Sequence, residues 1–376
     1  MNWTPSDDSF SYNFTLRDDL RGILNDAHVP TKREVLKVVM SLFDPLGLIS
    51  HSLVHGKVII QGTWAAGTGW DVPISESLFQ KWRQWVALFP ELGKLKIPRC
   101  YFSPFPANFH DMHVHCFVDA SDVAYSCAVY FRLVHNDSVQ VVLVGAKSKV
   151  APLKTLSTPR LELKAAVLGV RFLAAILEYH TLSVSQRFFW SDSTTVLAWI
   201  RSDHRRFHKF VSVRVGEILT LSDPQEWRWV KSKLNVSDDA TKWKKGPTLE
   251  SNCPWFEGPD FLRDIEESWP KQSIVTTTHE EVRSVQVHCN PEPLIDYSRF
   301  SHWSKLQRTT TYVIRFIDGL CRSNVGRSLQ KGILTQAELS RAEIVLWKLA
   351  QMESFPEERT ILEKTKGFPE AKHSVA

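Results

Sequence analysis

Between His113 and Lys147 the sequence sets out three strand-length runs in close succession, at about 113–119 (HVHCFVD), 124–133 (AYSCAVYFRL) and 139–147 (VQVVLVGAK). Links this short make them antiparallel neighbours. A long amphipathic stretch follows, with Thr158 as its expected N-cap, Pro159 at the first helical position, and Leu161, Ala165, Leu168, Phe172 and Ile176 on one face. The next strand, Arg187–Trp190, is reached through that helix, and such a crossover returns a strand parallel to the sheet it left. Helices at about 193–201 and 207–221, a fifth strand at Glu226–Val230 and a final helix from about Asp238 complete the pattern. The expected fold is α/β: a five-stranded mixed sheet, three strands antiparallel and two parallel, in a three-layer domain at residues 110–250.

A chain of 376 residues exceeds one typical domain. Residues 1–30 show no sustained periodicity. From Thr31 the pattern turns helical: Thr31 caps, Glu34 stands three residues on, and Val35, Val38, Val39, Leu42 and Phe43 recur until Asp44-Pro45 stops the run. Leu46-Gly47 then makes a turn. Apolar runs at Leu53–Ala66 and Ser75–Phe89 complete a small helical region at 1–98, read as a bundle without activity rather than as a connector. Prolines 98, 104 and 106 mark a boundary. Residues 251–296 read as a linker by composition, and 297–376 as a spacer holding amphipathic helices at about 297–322 and 335–353.

Composition narrows the classes. At 43% hydrophobic and 23% charged residues, most of the chain should fold. The six cysteines form no CxxC pair and read as free thiols of a reducing compartment, with no structural zinc. With no secretory signal and no run of about 18 apolar residues, the expectation is a soluble protein without membrane contact, cytoplasmic or alternatively nuclear. A net charge of +5 permits a nucleic-acid partner without requiring one.

Four acids carry the chemistry. Asp119 closes the first sheet strand, and Asp192 follows the fourth, which the crossover places at the same end of the sheet. Glu162 lies in the first turn of the crossover helix, where the dipole favours it, and Asp238 opens the last helix. Singly, Asp192 and Asp238 read as helix caps and Glu162 as a surface residue. As a set, converging carboxylates need cations, and hard oxygen ligands select Mg²⁺ or Mn²⁺ over zinc. A pair of such ions about 3.5–4 Å apart suits phosphodiester hydrolysis.

The segments FVDAS, PRLELKA, WSDSTTVLAW and NVSDDATKW resemble the four-acid pattern of ribonuclease H domains in Bel-Pao LTR retrotransposon polyproteins. TKREVLKVVMSLFDPLGLISH resembles the segment after the reverse-transcriptase palm in that family, and QAELSRAEIVLWKLAQMESF the region before the integrase zinc-binding domain. The resemblance implies a ribonuclease H-like fold that cleaves the RNA strand of an RNA–DNA hybrid. Asp119, Glu162, Asp192 and Asp238 are then the ligands of two Mg²⁺ or Mn²⁺ ions, with no small-molecule cofactor. It also implies a polyprotein context, in which 1–98 is a thumb- or connection-like remnant and the palm and integrase are partners. The sequence departs from the family in reading NVSD where relatives have an NPAD-like form. Asp239 directly follows, and alignment to the motif selects Asp238. The loop Lys231–Ser237 holds no histidine, so the proton shuttle of some relatives is not expected. No YxDD-like turn, protease site or integrase site occurs.

Arg201, Arg205, Arg206 and Lys209, with Lys231 and Lys233 near the fourth acid, are candidate phosphate contacts. Ser121, Ser193 and Thr194 could meet the sugar-phosphate or the 2′-hydroxyl. Solvated helix faces and capping explain the same residues. Trp190, Trp199, Trp227, Trp229 and Trp243 are expected in the core. Two rival readings stand beside the nuclease: a catalytically silent fragment that only binds nucleic acid or serves structurally, and an integrase- or exonuclease-like enzyme. The early position of Glu162 disfavours integrase order.

Overall fold

The computed structural model describes residues 1–12, 22–24, 28–102, 111–135, 138–203, 206–242, 249–271, 281–282, 299–323 and 332–355. They fall into two compact units, Met1–Ser284 and Val285–Ala376.

The first unit opens with a feature the sequence pattern did not reveal. Strands β1 (Asn2–Thr4) and β2 (Ser9–Ser11) pair antiparallel with each other, and β2 pairs with β3 (Lys96–Pro98). Three-residue strands are shorter than any window in which alternation shows. Between them lie α1 (Lys32–Ser41), α2 (Ser50–Ala65), α3 (Glu76–Val86) and the single turn α4 (Phe89–Leu92). The box foreseen at Thr31 forms in both directions, Glu34 N–H to the Thr31 hydroxyl and Thr31 N–H to the Glu34 carboxylate. This helical region has no core of its own: Val35, Ile49 and Trp85 belong to one buried cluster with Phe117, Tyr130 and Trp190 of the larger sheet. The join is the Leu46-Gly47 turn. The Ala146 N–H donates to the Leu46 carbonyl at 3.0 Å. Gly47 has φ +73°, and a Cβ there would land on the Ala146 carbonyl.

The larger sheet contains β4 (Asp111–Ala120), β5 (Ala124–His135), β6 (Ser138–Val150), β7 (Gln186–Ser191) and β8 (Trp227–Trp229), in the order β6-β5-β4-β7-β8. β4, β5 and β6 are antiparallel neighbours; β4–β7 and β7–β8 are parallel. The crossover helix α5 (Thr158–Tyr179) is capped by Ser157 rather than Thr158, which is its first residue. It covers one face together with α6 (Thr194–Ile200) and α7 (Lys209–Leu221). Gly169 allows α5 to approach closely, since a Cβ would lie 2.6 Å from Val118. β8 is shorter than its expected span, and the helix expected from Asp238 is a 3₁₀ turn, Val236–Ala240.

The opposite face is closed by α2, that turn, and a segment that composition alone suggested was a linker. From α8 (Pro254–Glu257) onward, Trp255, Leu262 and Trp269 are buried in the sheet's core. Their backbone is tied to β5, where the Tyr130 hydroxyl donates to Trp255 O (2.6 Å) and the Arg132 guanidinium to Leu262 O (2.6 Å). Covering both faces explains why β4 is buried on both sides from Met112 to Ala120, including its polar His113, His115 and Asp119. Trp190, Trp199 and Trp227 are buried as expected; Trp229 is half-buried and Trp243 lies outside the described residues. Cys100, Cys116, Cys127 and Cys253 are free thiols.

The second unit pairs α9 (Trp303–Ser323) with α10 (Gln336–Ser354). The Arg315 guanidinium donates to the Glu338 carboxylate at 2.6 and 2.8 Å, and Leu306, Ala342 and Leu346 are buried. Among the described residues no helix is long and apolar enough to cross a membrane.

Candidate active site

Parallel pairing of β4 with β7 puts Phe117 opposite Trp190, so the two chains run out of the sheet side by side, at Asp119 and just before Asp192. The Asp119 side chain is 3% exposed. Burial, and next the Asp192 charge, push its carboxyl up to about 7, with a smaller push from Asp238; the Thr241 hydrogen bond and the Lys242 charge oppose this. Two of the other candidate acids, Asp192 and Asp238, therefore act on Asp119.

The NVSDDAT turn reaches this point because its small polar side chains pin it to the sheet. The Asn235 side-chain amide donates to Val118 O at 3.0 Å, one residue before Asp119, and its carbonyl caps the Ser237 N–H. Ser237 and Ser126 share a buried hydroxyl contact at 2.6 Å, and Ser126 stands opposite Asp119 in the ladder. With the turn fixed, the Thr241 hydroxyl donates to Asp119 and Lys242 pairs with Asp238. Burial draws the Lys242 ammonium down, yet the Asp238 hydrogen bond and the Asp119, Asp238 and Asp192 charges leave it raised. Asp239, exposed, acts instead on Tyr130 and Cys253. Of the two adjacent acids, Asp238 is the one whose charge bears on Asp119.

Glu162 approaches from α5. It accepts from the Ser193 hydroxyl, which also receives the Val196 N–H at 3.3 Å as the N-cap of α6. Ser193 thus ties Glu162 to the residue next to Asp192. Among the described residues no three His, Cys, Asp or Glu side chains are drawn close enough to hold a metal as they stand. The Asp192 and Asp238 charges bear on Asp119, and Ser193 links Glu162 to the same end of the sheet. The chemistry of these acids fits a divalent cation: the donors are all oxygen, and around the buried Asp119 the only opposing charge among its resolved influences is Lys242.

The remaining candidates are dispersed. The Ser121 hydroxyl donates to Thr241 O at 2.7 Å, which makes it part of the same pinning, and Thr194 is the first residue of α6. Arg201 sits at the C-cap of α6 and donates to Trp227 O at 3.2 Å. Arg206, Lys209, Lys231 and Lys233 are exposed, and Arg205 lies outside the described residues. Thr241 and Asn235 were missed as site residues because each is an ordinary polar residue until the turn is folded against β4.

The strand order, the parallel return to β4 and the acids at its end define a ribonuclease H-like domain. Residues 31–193 match the family described as Pao retrotransposon-like RNaseH-like domain. Over that stretch, less than half of its length, the chain is similar to this family; Asp119, Glu162 and Asp192 fall inside the match and Asp238 beyond it. No curated protein matches. Similar solved structures include the N-terminal RNase H domain of a Mycobacterium tuberculosis protein, fused to maltose-binding protein (10% identity, 33% of this chain and 86% of that chain, TM-score 0.24). RNase H1 from the halophilic archaeon Halobacterium salinarum is another (18% identity, 34% and 89%, TM-score 0.22). A third is LC9-RNase H1, a type 1 RNase H with the type 2 active-site motif (13% identity, 34% and 66%, TM-score 0.23).

Proposed function

We propose that this chain hydrolyses the RNA strand of RNA–DNA hybrids with two Mg²⁺ or Mn²⁺ ions held by Asp119, Glu162, Asp192 and Asp238. The observation that carries the reading is Asp119, a carboxyl kept buried against two like charges where two parallel strands end. A structural role would need donors there instead. When bound, the cations supply activation of water and charge neutralisation at the leaving oxygen. The chain's own groups do the positioning. Thr241 holds one Asp119 oxygen, Ser193 holds Glu162, and Asn235 sets the turn bearing Asp238. The exposed Arg206, Lys209, Lys231 and Lys233 are available to phosphates. In this reading the chain works within a retroelement polyprotein that supplies a reverse-transcriptase palm and an integrase.

Cleavage of an end-labelled RNA–DNA hybrid in Mg²⁺, beside duplex DNA and duplex RNA, tests it. The expected result is scission of RNA in the hybrid alone, lost in EDTA and lowered about a thousandfold by Asp192→Asn, the size expected when several kcal/mol of transition-state stabilisation is removed. The silent-fragment reading has one observation in its favour: Lys242 already neutralises Asp238. Absence of any metal-dependent cleavage by the wild-type chain would establish that alternative.

A further inference from the structure

The face of β5 and β6 that meets α5 carries a second charged feature, opposite in sign to the acid cluster. A cleft of about 460 Å³ is lined by Lys147, Lys149, Lys164, Arg171 and Arg214, with Glu217 as its one carboxylate. That carboxylate is already taken, since Arg171 donates to both its oxygens. An adjoining cleft shares Tyr125, Lys147, Lys149 and Phe172 and adds Lys57, so the two form one trough across β6. The acid in that second part, Asp44, is occupied by the Tyr12 hydroxyl and two backbone N–H groups.

The cations are held in place by aromatic rings. The Lys164 ammonium lies 4.8 Å from the centre of the Tyr125 ring, Lys147 lies 5.5 Å from Phe172, and the Arg214 guanidinium 3.7 Å from Phe210. Burial, Arg214 and Lys149 draw the Lys164 ammonium below its usual range, and Arg214 is lowered by its own burial against the pull of Glu217, with Arg171 and Arg160 adding to the lowering. Like charges crowded in this way are relieved by an anion. Register connects the trough to the acids: Ala120, next to Asp119, pairs with Tyr125, and Tyr125 pairs with Lys149. Two strand spacings amount to about 10 Å.

We propose that this trough binds the phosphodiester backbone of a nucleic-acid strand that continues past the acid cluster. The occupant rests on the hybrid-cleaving reading of that cluster, whereas the trough's affinity for phosphates does not need cleavage to be observed. A row of cations beside aromatic rings, reached from the strand of Asp119 across two strand spacings, suits a repeating chain of monoanions better than an isolated anion.

The test is binding without catalysis. A fluorescent RNA–DNA hybrid is titrated with the full chain in EDTA, across a series of salt concentrations. Lys147→Gln/Lys149→Gln, at two exposed strand positions, is expected to weaken Kd about tenfold and to make the logarithmic salt slope shallower by about 1 to 2, close to one for each lost phosphate contact. The double arginine variant at the same positions should restore both. Independently of any variant, bound hybrid should protect Lys147 and Lys149, but not Lys305 of the second unit, from acetylation followed by mass spectrometry. An unchanged Kd and slope with equal acetylation overturns the proposal. So does displacement of hybrid by inorganic phosphate at millimolar concentration, which would mark a site for free anions. If the hybrid binds through the trough yet is never cut in Mg²⁺, the cleavage reading fails and the trough stands.

Discussion

Two buried aspartates, Asp44 and Asp119, show how differently one residue type can be used in a single fold. Both have carboxyls pushed up chiefly by burial. Asp44 is surrounded by donors: the Tyr12 hydroxyl at 2.7 Å and the Leu48 and Ile49 N–H groups at 3.0 Å. It organises the turn that docks the helical region on β6. Asp119 accepts from the Thr241 hydroxyl and feels the like charges of Asp192 and Asp238. A carboxylate well supplied with donors holds a turn; one gathered with like charges is the candidate ligand of the proposed site.

The contrast is sharpest in its pH dependence. Asp119 stays protonated in the folded chain up to about 7, while the unfolded carboxyl ionises near 3.8. The folded state therefore binds more protons, and stability present at acid pH is lost as pH climbs from about 4 through 7. The shift corresponds to a loss of up to about 4 kcal/mol in EDTA, measured by urea unfolding at pH 4 and pH 8. Asp119→Asn should remove the largest part of this slope, leaving parts of the same sign that belong to Asp239, whose carboxyl is pushed up to about 6 by desolvation and the Asp238 charge, and to Asp44. Millimolar Mg²⁺ should restore stability at pH 8 in the wild type and not in the variant. A slope that survives Asp119→Asn intact would break the distinction.

Much of the sheet was legible in the sequence because its signals are local. Strand runs at 113–147, the Pro159 helix start and the crossover require only periodicity and one rule of handedness, and β4 to β7 form where these place them. The acids stand out in the sequence for the same reason: Asp119 and Asp192 fall at strand ends, while Glu162, expected in the first turn of a helix, lies just beyond it because the helix begins at Thr158. What could not be read is what depends on distant backbone. The Ser126–Ser237 and Asn235–Val118 contacts join residues 111 and 117 positions apart, and no local pattern marks them. Trp255 and Leu262 lie in a stretch whose prolines suggest a linker, yet their partners are β5 and the turn after Asp44. The basic trough escaped notice because Lys147, Lys149, Lys164 and Arg214 come from three elements and form a row only once α5 and α7 pack.

Removing the well-supplied carboxylate should cost stability alone. Asp44→Ala leaves two backbone N–H groups and the Tyr12 hydroxyl without their acceptor, a loss of about 2–3 kcal/mol seen as a lower urea midpoint at pH 7. Mg²⁺ should still raise the midpoint of this variant by as much as it raises the wild type's. A lost Mg²⁺ response would mean that the two aspartates are coupled through the core they share, and that Asp44 serves the site as well as the turn.

The smallest effect separates hydrogen bonding from charge at Asp119 itself. Thr241 is buried, and Thr241→Val keeps its shape while removing the hydroxyl that holds the carboxylate. Losing a donor to the ionised form raises the pKa further, so the pH at which stability falls should move upward, with about 1–2 kcal/mol lost at pH 8 and almost nothing at pH 4. If Thr241 were only a packing residue, the loss would be equal at both values. A pH-dependent loss that Mg²⁺ reduces would place Thr241 among the groups that fix the carboxylate in its ionised form, the form able to take a cation.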